Sequence, residues 1–292
     1  MKNRFLILMV LTAIPFSVQA WENCGQIGGV DSNCEYQISA DGVLTIRPVD
    51  SDQDGVMPNY SYHNPLFPGK AVTTAPWAEN GYETVTKIEI ADGITNIGGK
   101  AFIGLSSKIT SVVDIADSVT SIGDGAFAIL PNLSKIVLPK NLQTLDHAVF
   151  QDDRLLENVD LPETLLEMSG LGNPFVRTGI TSLSLPDSLL DNEGYNKELL
   201  TDYSDITTLY CSKKNEKKCS DLVAEAKASG KAKEGLKYEI YEKYGDNYIY
   251  DGKFYSSLGD IGTTNHVKKR IYTIDEANAV SGKKNTFKIR YK

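Results

Sequence analysis

Apolar residues recur along this chain in short alternating runs. They are KIEI at 87–90, VVDI at 112–115, KIVL at 135–138, NVDL at 158–161, SLSL at 182–185 and, less regularly, TLYC at 208–211. Alternation with period two predicts a strand with one buried face. A second apolar stretch follows in each unit: ITNIGGKAF, VTSIGDGAF or LQTLDHAVF, closing on Phe102, Phe127 and Phe150, with Phe175 continuing the series. The runs IADGI, IADSV, LPKNL, LPETL and LPDSL mark one phase, spaced by 25, 23, 23 and 24 residues. A fixed period of this size predicts stacked units, each burying its apolar side against its neighbours, with Leu, Ile and Phe in ladders. Gly98 and Gly123 stand before the Ala-Phe step, where a tight corner or close backbone approach suits glycine. The third unit has Asp146 there.

The period of two also sorts the strand residues by direction. Ile88 and Ile90, Val113 and Ile115, Ile136 and Leu138, Val159 and Leu161, Leu183 and Leu185 are expected to face the core. Their neighbours then form two outward rows. One is Lys87, Val112, Lys135, Asn158, Ser182 and Thr208; the other is Glu89, Asp114, Val137, Asp160, Ser184 and Tyr210. At about 4.8 Å per unit each row runs about 24 Å, the length of a peptide or a short oligosaccharide. These twelve residues are the candidate binding surface. LPETL, taken singly, is one residue short of an LP-x-T-G sorting signal. As one tooth of the repeat, with 127 residues of mixed polar sequence after it, it is read as structure.

The stretches ITNIGGKAF and VTSIGDGAF, preceded by IEIADG and DIADS, resemble the BspA-type leucine-rich repeats of bacterial surface proteins. The resemblance covers roughly residues 40–215, and CEYQISADGVLTI, MPNYSY and APW are similar to the N-terminal cap such proteins carry. It implies a mainly β chain: a curved leucine-rich-repeat β-solenoid, secreted or surface-displayed, that binds other molecules without catalytic chemistry or a cofactor. The fourth and fifth units depart from the pattern, with EMSGLGNPF and no clear Ile-Gly-x-x-Ala-Phe.

Outside the repeat, residues 1–20 read as a signal peptide. Lys2 and Arg4 precede an apolar run from Phe5 to Val18, and Val18-Gln19-Ala20 has small residues at the cleavage positions. The run is too short for a retained span, which needs about 20 residues, and no later stretch is apolar enough to cross a membrane. Residues 21–84 form the N-terminal capping region, 85–219 the repeat, and 220–292 a small C-terminal α+β module. In that module CSDLVAEAKASG predicts a helix between Ser220 and Gly230. The tyrosine-rich run 238–257, with turn signals YGDN and YDGK, predicts a small antiparallel unit. The last stretch predicts strand, short helix (275–281) and strand, so the module reads as independent of the repeat.

Formal charge is −8 and unevenly placed: residues 21–210 hold 27 acids and 10 bases, residues 211–292 hold 11 acids and 18 bases. A basic end on an exported chain fits an anionic envelope component better than nucleic acid. Four cysteines allow three connectivities. The local pairs Cys24–Cys34 and Cys211–Cys219 are expected, each capping one end; zinc lacks a C-x-x-C spacing and a nearby histidine.

Catalytic signals are sparse. DSDQDG places Asp50, Asp52 and Asp54 as in the first half of a calcium loop, but Ser61 stands where a bidentate Glu belongs, so an acidic hairpin loop is the preferred reading. His63, His147 and His266 lie apart, Asp152 and Asp153 sit in a loop-like QDDR, and KKNEKKC reads as a soluble loop closed by its cysteine. The chain is therefore expected to be an exported, non-enzymatic adhesion or binding protein with a protein or glycan ligand. A glycan-active enzyme, or a structural subunit of a surface assembly, is the alternative.

Overall fold

Successive units pair in parallel one period apart, which is what the repeat requires. The computed structural model describes residues 20–63, 72–112, 114–168, 172–195, 197–201, 203–244, 247–251, 253–255 and 257–261. The signal segment up to residue 19, Val113, His266 and the last strand–helix–strand all lie outside these. Strand Val43–Arg47 pairs with Lys87–Ile90, and Lys87–Ile90 with Asp114–Ile115, in a sheet begun by Glu22–Asn23 and Glu35–Ile38. Further along, Ser182–Ser184 pairs with Thr208–Ser212 and that strand with Lys237–Tyr244, again in parallel.

A second stack of strands was not evident from the alternation. Gly55–Val56, Ile94–Ile97, Ser121–Ile122, Thr144–Leu145 and Glu167–Met168 form their own parallel sheet. Buried positions in Ile94–Ile97 fall three apart, at Ile94 and Ile97, so the segment does not show period two. Conversely, 158–161 is not a strand, although Val159 and Leu161 are buried while Asn158 and Asp160 are exposed. Pro162, which has no N–H to give a ladder, comes directly after it.

The aromatic ladder runs as expected and starts one step earlier. Trp77, Phe102, Phe127, Phe150 and Phe175 stack in sequence, centroids 5.6, 5.2, 6.1 and 5.8 Å apart. Tyr36 and Tyr60 close the top edge-on against Trp77, whose Nε1 donates to the Ala101 carbonyl at 3.0 Å. All five ladder rings are fully buried or nearly so. Gly98 and Gly123 serve close approach: a Cβ on Gly98 would lie 1.8 Å from the Pro58 carbonyl oxygen. Left-handed residues stand instead two before Phe102, Phe127 and Phe150 (Lys100, Gly125, Ala148) and two after all four Phe (Gly104, Ile129, Asp152, Arg177).

Both ends carry a disulfide, Cys24–Cys34 and Cys211–Cys219, with all four sulfurs' residues buried. The second ties strand Thr208–Ser212 to helix Glu216–Ala228, which packs against that strand. The helix begins three residues before the expected cysteine, so the basic run is not a loop. Ser212 accepts from Asn215 N to start a short 3-10 turn, and Lys214 pairs with Asp191 at 2.6 Å on the missed helix Asp187–Asp191.

The C-terminal region is not independent of the repeat. Residues 237–241 of its first strand extend the repeat's sheet in parallel, and 242–244 then pair antiparallel with Asn247–Tyr250, which pairs with Lys253–Tyr255. The hairpin and the short helix Leu258–Ile261 fold back over the outward side of the sheet.

Candidate functional site

One residue shifts the outward rows. Val112 was expected to face out, yet it is fully buried and pairs with Ile136, while Asp114 pairs with Glu89 and Ile115 with Ile90. This unit holds one residue more than its neighbours between the two buried positions. Because side chains alternate, a one-residue insertion reverses the face on one side of it. Val112 therefore belongs to the core ladder and leaves the first row.

What remains of the second row is open at its N-terminal half. Thr45, on the N-terminal strand, lies in register with Glu89, and its hydroxyl reaches Glu89 Oε2 at 3.4 Å. Beyond them come Asp114, with its side chain 48% exposed, and Val137, 46% exposed and apolar. Lys87 from the first row bridges Glu89 (2.6 Å) and Asp114 (2.8 Å). Hydrogen bonds to Asp114 and then Glu89 hold its ammonium charged well above the usual lysine range. Lys135 and Asn158 are exposed, and Ser182 and Thr208 half-buried.

In the other half of the second row the chain itself buries Ser184, half-buries Tyr210 and touches Asp160, which stays exposed. Ser184 is buried, its Oγ donating to the Leu258 carbonyl at 2.9 Å, and Gly259 N donates to Asp160 Oδ1 at 2.9 Å. Tyr210 packs edge-on against Tyr250 at 5.1 Å, and Tyr250 contacts Tyr255. Tyr241, Tyr248, Leu258 and Ile261 form a small apolar cluster above the sheet. The Tyr248 hydroxyl donates to Glu163 Oε1 at 2.9 Å, and Lys243 pairs with the same carboxylate at 3.2 Å. Burial, seconded by Glu163, pushes the Tyr248 hydroxyl well above the ordinary tyrosine range, and burial takes Tyr250 to about 12. The tyrosines thus serve packing, with the sheet face as their floor.

The remaining candidates are dispersed. Asp50, Asp52 and Asp54 are exposed, and their loop is organised around Asn33, whose side chain donates to the carbonyls of Asp50, Gln53 and Asp54 and accepts from Asp50 N. Asp50 itself accepts from Asp52 N and the Gln53 side chain. Asp152 and Asp153 turn apart. Asp152 takes a two-pronged contact from Arg177, both at 2.6 Å, which holds its carboxyl below the usual range. Asp153 is fully buried three residues after Phe150, where the previous unit has Leu130, and accepts from Leu130 N at 2.7 Å. Burial pushes its carboxyl well up. His147 lies against Gly172, where a Cβ would meet Nδ1 at 1.9 Å. A cavity of about 490 Å³ beside Thr73–Pro76 and Tyr82 shares no residue with the row. Among the described residues, no helix is long and apolar enough to cross a membrane.

Comparison with known proteins matches residues 80–196 to the family described as BspA type Leucine rich repeat region, in six copies. No curated protein matches. Among solved structures, a leucine-rich repeat protein of T. pallidum is similar at 19% identity and a TM-score of 0.35, over 62% of this chain and 84% of that one. One from Eubacterium ventriosum is similar at 18% identity and 0.34, over 62% and 60%, and one from Bacteroides ovatus at 17% and 0.24, over 64% and 65%. This chain therefore spans less than two thirds of the last two proteins' own lengths.

Proposed function

We propose, for a chain whose residues 80–196 match the BspA-type leucine-rich repeat family, a binding role without chemistry of its own: an exported protein that takes a protein or glycan ligand on its outward strand row. The observation that carries this reading is the open stretch Thr45, Glu89, Asp114 and Val137. Thr45, Glu89 and Asp114, a hydroxyl and two carboxylates, lie in register on paired strands, and the exposed apolar Val137 follows directly on strand Lys135–Ile136 of the next unit. A row fixed by backbone ladders is rigid, so a ligand meets groups that need no ordering, and binding loses little to side-chain entropy. Stacked as a curved solenoid, the units would present this row on the concave side, where such proteins bind along several units at once. Two buried disulfides support an oxidising compartment, at the cell surface or in the periplasm. The base-rich region 220–292 would hold the protein to an anionic envelope component.

The test is capture from envelope fractions by the mature chain, compared with a variant carrying Glu89→Ala, Asp114→Ala and Val137→Ala. The variant should keep its far-UV spectrum and melting point and lose the captured species. Equal capture by a folded variant would place binding on another face.

A further inference from the structure

The described chain ends against the binding row. Helix Leu258–Ile261 sits over Ser184 and Asp160, so the C-terminal segment departs from the row's covered half, next to its open half. That segment is basic: residues 262–292 hold eight Lys or Arg and two acids. Its first cluster, Lys268-Lys269-Arg270, stands seven residues past Ile261 and is flanked by Val267 and Ile271.

The open half offers the complement. Among the described residues Lys87 is the cation paired with Glu89 and Asp114, and Val137, in the next unit, is an exposed apolar position. The Lys87 pairs are solvent-exposed, and exposed pairs contribute little to stability, so incoming cations exchange with Lys87 at little cost. Reach is not limiting. From Asp160 to Glu89 is three units, about 14 Å, and seven extended residues span up to about 24 Å. Attachment to the same chain gives such a segment an effective concentration on the order of millimolar, above that of any dilute ligand.

We propose that residues 262–292 dock within their own molecule along Val137, Asp114 and Glu89, lysines and arginine on the carboxylates and an apolar neighbour on Val137. The chain's own basic segment is then the resident occupant of the row. The docking stands apart from the binding role given above; only its consequence, that a ligand must displace the segment, rests on that reading. An anionic surface would compete for the same bases and uncover the row.

The experiment is zero-length carbodiimide coupling of the full mature chain, using an equal mixture of isotope-labelled and unlabelled protein, followed by peptide mass spectrometry. Coupling of Lys87 to Asp114, 2.8 Å apart, is the internal control. The expected result is coupling of Glu89 or Asp114 to Lys268, Lys269, Lys283 or Lys284, within one isotope only, and its loss in about 0.5 M salt, where exposed charges are screened within a few ångströms. Control coupling without these products overturns the proposal. So do mixed-isotope products, which would assign the row to a second copy of the chain. No ligand enters the assay, so its failure is separate from failure of the capture experiment.

Discussion

Replacing Phe127 by Leu tests whether the ring ladder stabilises the stack beyond mere burial. Phe127 is fully buried and stacks on both sides, with Phe102 at 5.2 Å and 23° and with Phe150 at 6.1 Å and 11°. A ring pair is worth about 0.5–1.5 kcal/mol beyond the area it buries. Leucine keeps most of the apolar contact and loses two pairs, so Phe127→Leu should cost about 1–3 kcal/mol. Phe175 has one described ring partner, Phe150 at 5.8 Å, and Phe175→Leu should cost about half as much. Phe127→Ala adds a cavity and should cost about 3–5 kcal/mol, a large part of the about 5–15 kcal/mol typical of a domain. Urea titrations followed by far-UV circular dichroism give the three midpoints, compared at equal slope. The reasoning fails if the two leucine variants cost the same, or if Phe127→Leu costs less than about 0.5 kcal/mol.

Asp153→Asn should flatten the dependence of stability on pH. The folded carboxyl is raised by burial, so the unfolded chain releases its proton first and wild-type stability falls as pH rises from about 4 through the raised folded value. Asn keeps an oxygen for Leu130 N and has no charge to bury; melting points between about pH 4 and 8 decide it, and an unchanged slope refutes it. Asp153→Ala, which strands the Leu130 N–H, should cost about 1–3 kcal/mol at the acid end of the same scan, where the wild-type carboxyl is neutral, and less as pH rises. Alkylation without reductant should add no mass to the mature chain, and Cys211→Ala with Cys219→Ala should lower stability by about 2–3 kcal/mol, the chain-entropy value for so short a loop. Gly98→Ala should destabilise markedly, because the new methyl meets backbone oxygen at 1.8 Å; a neutral result in thermal melts would show that the Pro58 segment moves freely.

The parts of this fold visible in the sequence are those whose physics repeats. Ile88, Ile90 and the Phe series recur in phase because each fills the same place in successive units, and the cysteines lie close enough in sequence to pair locally. Val112 was misplaced because one inserted residue changes the phase without changing the composition. Ile94–Ile97 was missed as a strand because its buried positions are three apart. The covering of the row was not legible at all: Ser184 meets Leu258 across 74 residues and Asp160 meets Gly259 across 99. No local pattern encodes a hydrogen bond between a repeat and a segment that does not repeat. Hence Glu89 and Asp114 were found as accessible residues, while Ser184 and Tyr210, read identically, lie under the C-terminal hairpin.

That hairpin divides the repeat into two parts with different freedom to change over generations. Duplicating a unit of about two dozen residues lengthens such a stack by about 4.8 Å and disturbs neither disulfide-closed end. A copy inserted among residues 87–150 would leave every contact of Leu258, Gly259 and Tyr248 in place and add one rung to the open row. A copy inserted between Asp160 and Tyr210 would carry Asp160 and Glu163 away from Gly259 and Tyr248, which hold them now. The length of the open row is therefore the quantity descendants of this gene can alter most cheaply, one rung at a time, and from the N-terminal side.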